Sequence, residues 1–492
     1  MSPSLILYIP MTLLVGGLVV TICGTINRRL AYPVFWVFLA GSTIAALLGL
    51  QQVLRFGTLR YELGGWAPPI GIEYVLDPLS AFMAALITCV AVLVMIYAKK
   101  SAGDELPGRD TSFYGMSALL LAGLLGIVVT GDLFNLYVFL EIASLAAYAL
   151  LATGEKRAPL AAFRYVLLGT VSASFYLIGI GLLYSRTGTL NMADMAAQMG
   201  GITSFRSVQL AAVFLVTAMG IKMALFPLHL WLPDAYTYAP STVTGLIAPL
   251  MTKVGAYAMI RLLLFVLGPA FIRDDLGATA WIAWVSAAGI LAGSIMAIAQ
   301  KDLKRMLAYS SVSQVAYIGL GIGLGNVFGF IGAVLHILNH ALMKACLFLV
   351  AGIIRYKHGA ISIPQFAGLG RRMPLTMAAF TIAALSMVGL PPAAGFFSKW
   401  YLVLGGIESR QWIFVAVILV SSLLNAVYFF NVLEKIYLTR KDDGQEDQAG
   451  WDEAPVSMLI PTLILAVGIL AAGLANAVIV EGILRKALPP GI

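Results

Sequence analysis

Apolar stretches of about twenty residues recur from one end of this 492-residue chain to the other, more than any water-soluble core could use. With 60% hydrophobic and only 11% charged residues, the chain reads as an all-α polytopic membrane protein. A bilayer interior offers backbone polar groups no partners beyond those inside a helix or a closed barrel. About fourteen transmembrane helices are expected, near 4–25, 33–54, 76–98, 112–130, 133–152, 160–185, 207–230, 240–266, 278–299, 304–325, 327–354, 374–405, 412–434 and 455–483. The longest polar stretches, 99–112, 186–206, 355–373 and 435–454, are too short for cores of their own, which predicts a single membrane domain over 1–492. Gly57 to Tyr74 alternates around a Gly-Gly pair and predicts a hairpin. Met and Ala at helical spacing from Leu190 to Gly200 predict a short surface helix. The first span lacks a basic leader and a small-residue cleavage site, so it reads as a retained helix.

The net charge of +8 could suggest nucleic acid, but its distribution argues for a membrane. With the N-terminus outside, eighteen Lys and Arg fall on cytoplasmic loops, among them Lys301, Lys304, Arg305, Arg355, Arg440 and Lys441, against nine on the other face. That bias places both termini on the outer side of a plasma membrane. The three cysteines, Cys23, Cys89 and Cys346, all lie within spans, too few and too separate for a disulfide framework or a metal cluster. No cofactor and no redox chemistry are expected in this chain.

Five titratable groups interrupt the apolar segments: Glu141, Lys222, Lys253, Lys344 and Lys399. An ionised side chain at the helix centre costs at least roughly 2.5–3.5 kcal/mol, so such residues mark a pathway or a polar clamp. Glu141 and Lys222 can form a breakable pair, since a nearby lysine keeps a buried carboxylate ionised. Lys222 precedes Pro227, and carbonyls freed by the break could solvate its ammonium. His336, His340 and Lys344 follow one another at i, i+4 on one helix face, about 6 Å apart along the axis. Two histidines so spaced could hold a metal, but the lysine one turn away repels a divalent ion, and a proton relay is the better reading. Lys399 follows Pro391-Pro392 and is expected to mirror Lys222. Lysine suits such a relay because burial shifts its proton affinity readily, as it does not for arginine. His229 could hydrate the path beside Lys222. Asp132, Asp234 and Asp302, at span ends, read as caps or loop charges.

The seventh span (207–230) is broken at Pro227 and Pro233 and the twelfth (374–405) at Pro391-Pro392, each with a buried lysine. Paired proline-broken spans suggest two five-span units, 112–266 (spans 4–8) and 278–438 (spans 9–13). An odd number of crossings per unit makes them inverted repeats.

Six segments in order carry a family resemblance: DPLSAFM at 77–83, GDLFNLYVFLEIASLAAYAL at 131–150, KMALFPLHLWLPDAY at 222–236, LKRMLAYSSVSQVAYIGLG at 303–321, HILNHALMKACLFL at 336–349 and GLPPAAGFFSKWYL at 389–402. Together they resemble the antiporter-like membrane proteins shared by Mrp-type Na+/H+ antiporters, respiratory complex I and membrane-bound hydrogenases, with the D-type component of the Mrp antiporters most alike. The resemblance implies a fourteen-helix fold with a polar axis running along the membrane plane through Glu141, Lys222, Lys253, His336, His340, Lys344 and Lys399. It also implies work inside a multisubunit assembly, with no nucleic acid involved; the lysine-rich axis favours H+ as the species carried here, and the sequence leaves open whether Na+ crosses this chain or a partner. The alternative is a proton-pumping subunit of a redox complex, and a plain membrane scaffold is a third reading. No carboxylate-rich site of the kind a hard cation prefers is visible among the buried residues.

Overall fold

The computed structural model describes residues 4–359, 362–439 and 451–492; Arg440 and Lys441, assigned above to a cytoplasmic loop, lie outside these. Among the described residues twelve helices are long and apolar enough to cross a bilayer. In chain order they run through α1 (Leu5–Ile26), α2 (Ala31–Phe56), α3 (Pro78–Glu105), α4 (Asp110–Val129), α5 (Leu133–Ala152), α6 (Ala158–Thr187), and, after a short α7 (Met192–Gln198), two interrupted pieces and α10 (Ser241–Ile260). Then come α11 (Ala278–Ile298), α12 (Leu303–Leu324), α13 (Val327–His358), the single turn α14 (Leu369–Arg372), two more interrupted pieces, α17 (Trp412–Tyr437), α18 (Val456–Leu474) and a final turn, α19 (Asn476–Ile479). The interrupted pieces are α8 (Arg206–Lys222) with α9 (Leu232–Tyr238), and α15 (Pro374–Val388) with α16 (Ala394–Glu408). They fall where prolines predicted broken spans.

The expected hairpin forms, with β1 (Leu59–Glu62) antiparallel to β2 (Glu73–Leu76), and α7 is the expected surface helix. The hairpin, the α4–α5 turn, α7 and residues 486–490 gather around one cavity, while Glu105, Gly154, Tyr238, Asp302 and Arg355 gather around another. The chain therefore has two polar faces. The start of α1 packs against the hairpin, so both ends of the described chain share the first, hereafter the terminal face.

α10, α12 and α13 form the interior: 89%, 94% and 89% of their most apolar windows are buried, against 39% or less for α1, α2, α17 and α18. A helix hydrophobic all round and buried all round is the centre of a bundle, and two of these three carry Lys253, His336, His340 and Lys344. Small residues let neighbouring backbones approach, as at Gly293 of α11, where an added methyl would lie 2.6 Å from the Ser313 nitrogen of α12.

The first break begins earlier than the prolines suggested. α8 stops at Lys222, where Ala224 takes a left-handed conformation (φ 60°), the Leu225 amide donates to the Gly220 carbonyl (2.8 Å) and the Ala224 amide to Ile221 (3.1 Å). These are the two bonds of a Schellman stop, here with alanine in the place glycine usually takes. Asp132 caps α5 through the Asn135 amide (2.7 Å) and bridges to Asn191; Asp302 caps α12 through the Arg305 amide (2.8 Å) and bridges to Ser362. Asp234, in the first turn of α9, pairs with Arg164 at 2.7 Å and Arg305 at 3.6 Å.

At the terminal face Asp77 caps α3 through the Ser80 amide (2.8 Å) and forms a largely, not fully, buried ion pair with Arg261. Burial pushes the Asp77 carboxyl up, but Arg261 and the Ser80 bonds outweigh it and hold the group below its ordinary value. Removing one partner of a buried pair leaves the other charge uncompensated, at a cost of about 3–5 kcal/mol. Asp77→Asn is expected to lower the thermal midpoint of the purified assembly, and adding Arg261→Met to recover part of the loss; thermal unfolding of the two variants checks this.

Candidate proton-carrying axis

The seven titratable residues picked out by sequence come from α5, α8, α10, α13 and α16. Six are buried, and the Glu141 side chain keeps 27% exposure. At one end Lys222 Nζ donates to Ser144 Oγ (2.8 Å) and lies 3.5 Å from Glu141 Oε1, an ion-pair contact too long for a strong hydrogen bond. The carbonyls freed by the break do not serve Lys222 as expected, because that of Ile221 already accepts from Trp231 Nε1 (2.9 Å) and that of Gly220 from Leu225. α10 passes close behind: a methyl on Gly255 would lie 3.0 Å from the Lys222 carbonyl carbon. A void of about 20 Å³ between Lys222, Ser144, Met251 and Gly255 has room for one water.

In the middle, Lys253 Nζ donates to its own helix at the Ala248 carbonyl (2.7 Å) and to Thr252 Oγ1 (3.3 Å). It is close enough to His336, His340 and Lys344 to act on all three electrostatically. Lys344 Nζ donates to the Leu307 carbonyl (2.7 Å) and to Ser310 Oγ of α12. The His336 and His340 rings stand 5.8 Å apart, as the i, i+4 spacing requires. His336 Nδ1 shares a hydrogen with Ser398 Oγ (2.9 Å) and the ring faces the Gln314 backbone, whereas both nitrogens of His340, the Gln314 side-chain amide and Asn339 Oδ1 meet no hydrogen-bond partner among the described residues. Buried polar atoms rarely stay unpaired, so this cluster asks for ordered water.

At the far end Lys399 uses what Lys222 could not. Its Nζ donates to the last carbonyls of α15, Met387 and Val388 (3.0 Å each), and to Ser422 Oγ (3.2 Å). It sits 5.1 Å from the centre of the Tyr317 ring, which is 5.4 Å from His336. Lys399, Tyr317, His336 and His340 are thus contiguous. The positions of Lys222 and Lys399 differ from the mirror expected: Lys222 ends the first half of its broken helix, while Lys399 lies within the second half and reaches back to the first.

His229 stacks on Phe226 (5.4 Å), and its Nδ1 is buried without a hydrogen-bond partner among the described residues. Lys304 is a correction to the expectation from sequence. Counted there as a loop cation, it is 2% exposed and donates to the Ala239 carbonyl (2.6 Å). Its place two residues past the Asp302 cap, in a run of basic residues, gave no signal of burial. Sequence also passed over the hydroxyl cluster beyond Lys399, where Ser294 Oγ meets Ser313 (2.9 Å), Ser421 (3.0 Å) and Asn425 (3.3 Å). Serines are too frequent in membrane helices to stand out. Among the described residues no three His, Cys, Asp or Glu side chains converge as a metal site would require.

A bundle of membrane helices with a row of buried lysines and histidines through its centre defines an ion-conducting membrane subunit. The chain belongs to the NADH:quinone oxidoreductase/Mrp antiporter transmembrane family, whose pattern matches residues 130–425; residues 67–100 match the N-terminal pattern of complex I chain 5. It is 47% identical to the N subunit of NADH-quinone oxidoreductase from Desulforudis audaxviator, over 98% of this chain and 99% of that one. It is 34% identical to the D subunit of the Na(+)/H(+) antiporter from Alkalihalophilus pseudofirmus, over 78% and 77%. Its fold matches a chain of the Mrp complex from Dietzia sp. with a TM-score of 0.87 at 26% identity, over 99% and 96%.

Because Lys399 rests on the face of Tyr317, the ring matters more than its hydroxyl. A desolvated cation–π contact contributes about 2 kcal/mol, roughly thirtyfold in an equilibrium. Tyr317→Phe is expected to keep proton transport within about twofold of the parent and Tyr317→Leu to lose about tenfold or more, measured as proton flux by the whole assembly in vesicles.

Proposed function

We propose that this chain is the proton-translocating subunit of a multisubunit monovalent cation (Na+)/proton antiporter, moving H+ along Glu141, Lys222, Lys253, Lys344, His340, His336 and Lys399. The observation that carries the reading is how the lysines are held. Among the described residues Lys253, Lys344 and Lys399 bond only hydroxyl and carbonyl oxygens, and Lys222 is the one axis lysine paired with a carboxylate. An ammonium locked by carboxylates is a strut; one held by neutral oxygens can release its proton without leaving an anion behind. The unpaired imidazole nitrogens between them suit water-bridged hopping.

Separating Lys222 from Glu141 would lower the lysine's hold on its proton and push charge towards Lys253. Row upon row of cations repels metal ions, which supports H+ as the species carried here and Na+ as a partner's. The 27% exposure of Glu141, a carboxylate at membrane depth, supports a neighbouring membrane subunit packed over α5. The excess of Lys and Arg on the loops opposite the terminal face supports a plasma-membrane orientation with that basic face cytoplasmic and both termini outside. Within one membrane domain, 112–266 and 278–438 form the two inverted repeats. In their support, the second helix of each starts at an Asp-Leu pair whose aspartate caps the helix and bridges to a residue ahead of the broken one, Asn191 or Ser362. Counting each broken pair as one crossing gives fourteen.

The 47% identity to a quinone oxidoreductase subunit favours a second reading, in which the same axis is driven by a redox complex. Isolation of the native assembly separates the two. Iron–sulfur partners and electron-driven pumping would favour the second reading; small hydrophobic antiporter subunits and exchange without an electron donor would favour the first. In either case Lys222→Ala and Lys399→Ala are each expected to cut proton transport by vesicles containing the whole complex at least tenfold while assembly persists. Undiminished transport in both assembled variants would refute a proton role for the axis.

A further inference from the structure

On the basic face, a cavity of about 410 Å³ is lined by Glu105, Glu155, Tyr238, Asp302, Arg305 and Arg355 among others. Around it, Glu105 accepts from the Ser241 amide (2.8 Å) and pairs with Arg355 (3.7 Å), so its negative charge is largely spoken for. Lys304 does not itself line this cavity; it is buried beside the lining residues Asp302 and Arg305, within electrostatic reach of Glu105, Arg355 and Asp302. Its Nζ donates to the carbonyl of Ala239, the residue that ends α9, and beside it the single hydrogen of Thr244 Oγ1 faces the carbonyls of Pro240 (3.1 Å), Tyr236 (3.2 Å) and Ala239 (3.4 Å). The ammonium is thus held by a neutral oxygen, as those of the axis are.

Thr244 and Thr252 stand on one face of α10 at i and i+8, and between them Ala248 offers its backbone carbonyl. Pro249 lacks the amide that would bond the Gly245 carbonyl, leaving a free acceptor between Thr244 and Ala248. Lys253 follows, its Nζ folded back onto the Ala248 carbonyl and Thr252. From Thr244 to Ala248 the rise is about 6 Å, a span one or two waters bridge. Ser241 Oγ and Thr242 Oγ1, at the foot of the same helix, are buried without partners among the described residues. On the other side, α12 carries on the turns above Lys304 the Leu307 carbonyl and Ser310 hydroxyl that hold Lys344.

We infer that Lys304 is the group through which the axis exchanges protons with the cavity of the basic face, by way of Thr244 and Lys253. The inference rests on the proton-carrying reading of the axis and adds where that axis opens to the cytoplasmic side. In one step a hydronium of the cavity protonates the neutral Lys304 amine and becomes water. In the next the ammonium passes that proton to a water at Thr244 and is neutral again, so no co-reactant is needed.

Lys304 also fits a purely structural part, since a cation at the C-terminal end of α9 favours the helix dipole. Arginine separates the two, because it keeps the charge and the bond to Ala239 but does not give up a proton at any physiological pH. In vesicles holding the complete assembly, Lys304→Arg is expected to assemble normally and to lose at least tenfold in proton flux, with Lys222→Ala measured alongside. Full flux in Lys304→Arg together with lost flux in Lys222→Ala would overturn the exchange route alone; full flux in both would overturn the axis itself. Should Lys304→Arg fail to assemble, Thr237→Cys, which lines the cavity, replaces it as the test. A membrane-impermeant thiol reagent added from the cytoplasmic side is expected to block its flux several-fold and to leave the parent, with its three native cysteines, unaffected; flux untouched by the reagent would overturn the route.

Discussion

A cation inside a bilayer must exchange its hydration shell for other oxygens, and the source of those oxygens organises the centre of this protein. Lys253 draws on its own helix, Lys344 on a carbonyl and a hydroxyl of α12, Lys399 on the open end of α15, and Lys304 on the open end of α9. Helix ends are the natural source, because their last carbonyls have no amide to meet within the helix. A continuous transmembrane helix hides its carbonyls; a broken one presents some at mid-depth. The breaks at 223–231 and 389–393 therefore do more than bend the chain. They supply acceptors where solvent does not reach, and such backbone is tolerated only inside protein or against water.

The most enclosed helices of the bundle thus carry three of the five buried lysines among the described residues. α10, α12 and α13 are almost wholly buried, yet hold Lys253, Lys304, Lys344 and both axis histidines. Lipid-facing positions could not offer these groups carbonyls and hydroxyls from several sides at once. Small residues at the contacts bring neighbouring backbones close together, as Gly293 does against Ser313 and Gly255 against the Lys222 carbonyl.

Much of this was legible in the sequence because hydropathy and spacing are local properties. The spans, the hairpin at 59–76, the short helix near 192–198, both breaks and the His336–His340–Lys344 stripe follow from composition and period alone. The misses are those in which a residue's role is set by a partner far away in the chain. Lys304 looks like any basic residue after a helix cap until α9 folds over it. The stop at Lys222 depends on Ala224 adopting a left-handed turn that nothing in its own chemistry announces, and proline drew attention to the wrong end of the break. That the freed carbonyls serve Lys399 but not Lys222 depends on Trp231 swinging its indole onto Ile221.

The two broken helices also give the axis a polarity. If 112–266 and 278–438 are inverted copies, as proposed here, a strict copy would hold both lysines alike and leave a proton no preferred direction. The solvation is instead unequal, with a carboxylate beside Lys222 and only neutral oxygens around Lys399 among the described residues. A nearby negative charge raises the cost of releasing a proton, and its withdrawal lowers it. On the proposed proton-carrying reading, Lys222 is then the group whose affinity can be switched, by moving Glu141 or by a neighbour that competes for it, while Lys399 has no such partner to lose. With 27% of its side chain facing outward, Glu141 is also the axis residue a partner subunit can touch. The switchable end of the axis and its accessible end are the same end, which is the arrangement needed for an event in an adjoining subunit to set protons moving through this one.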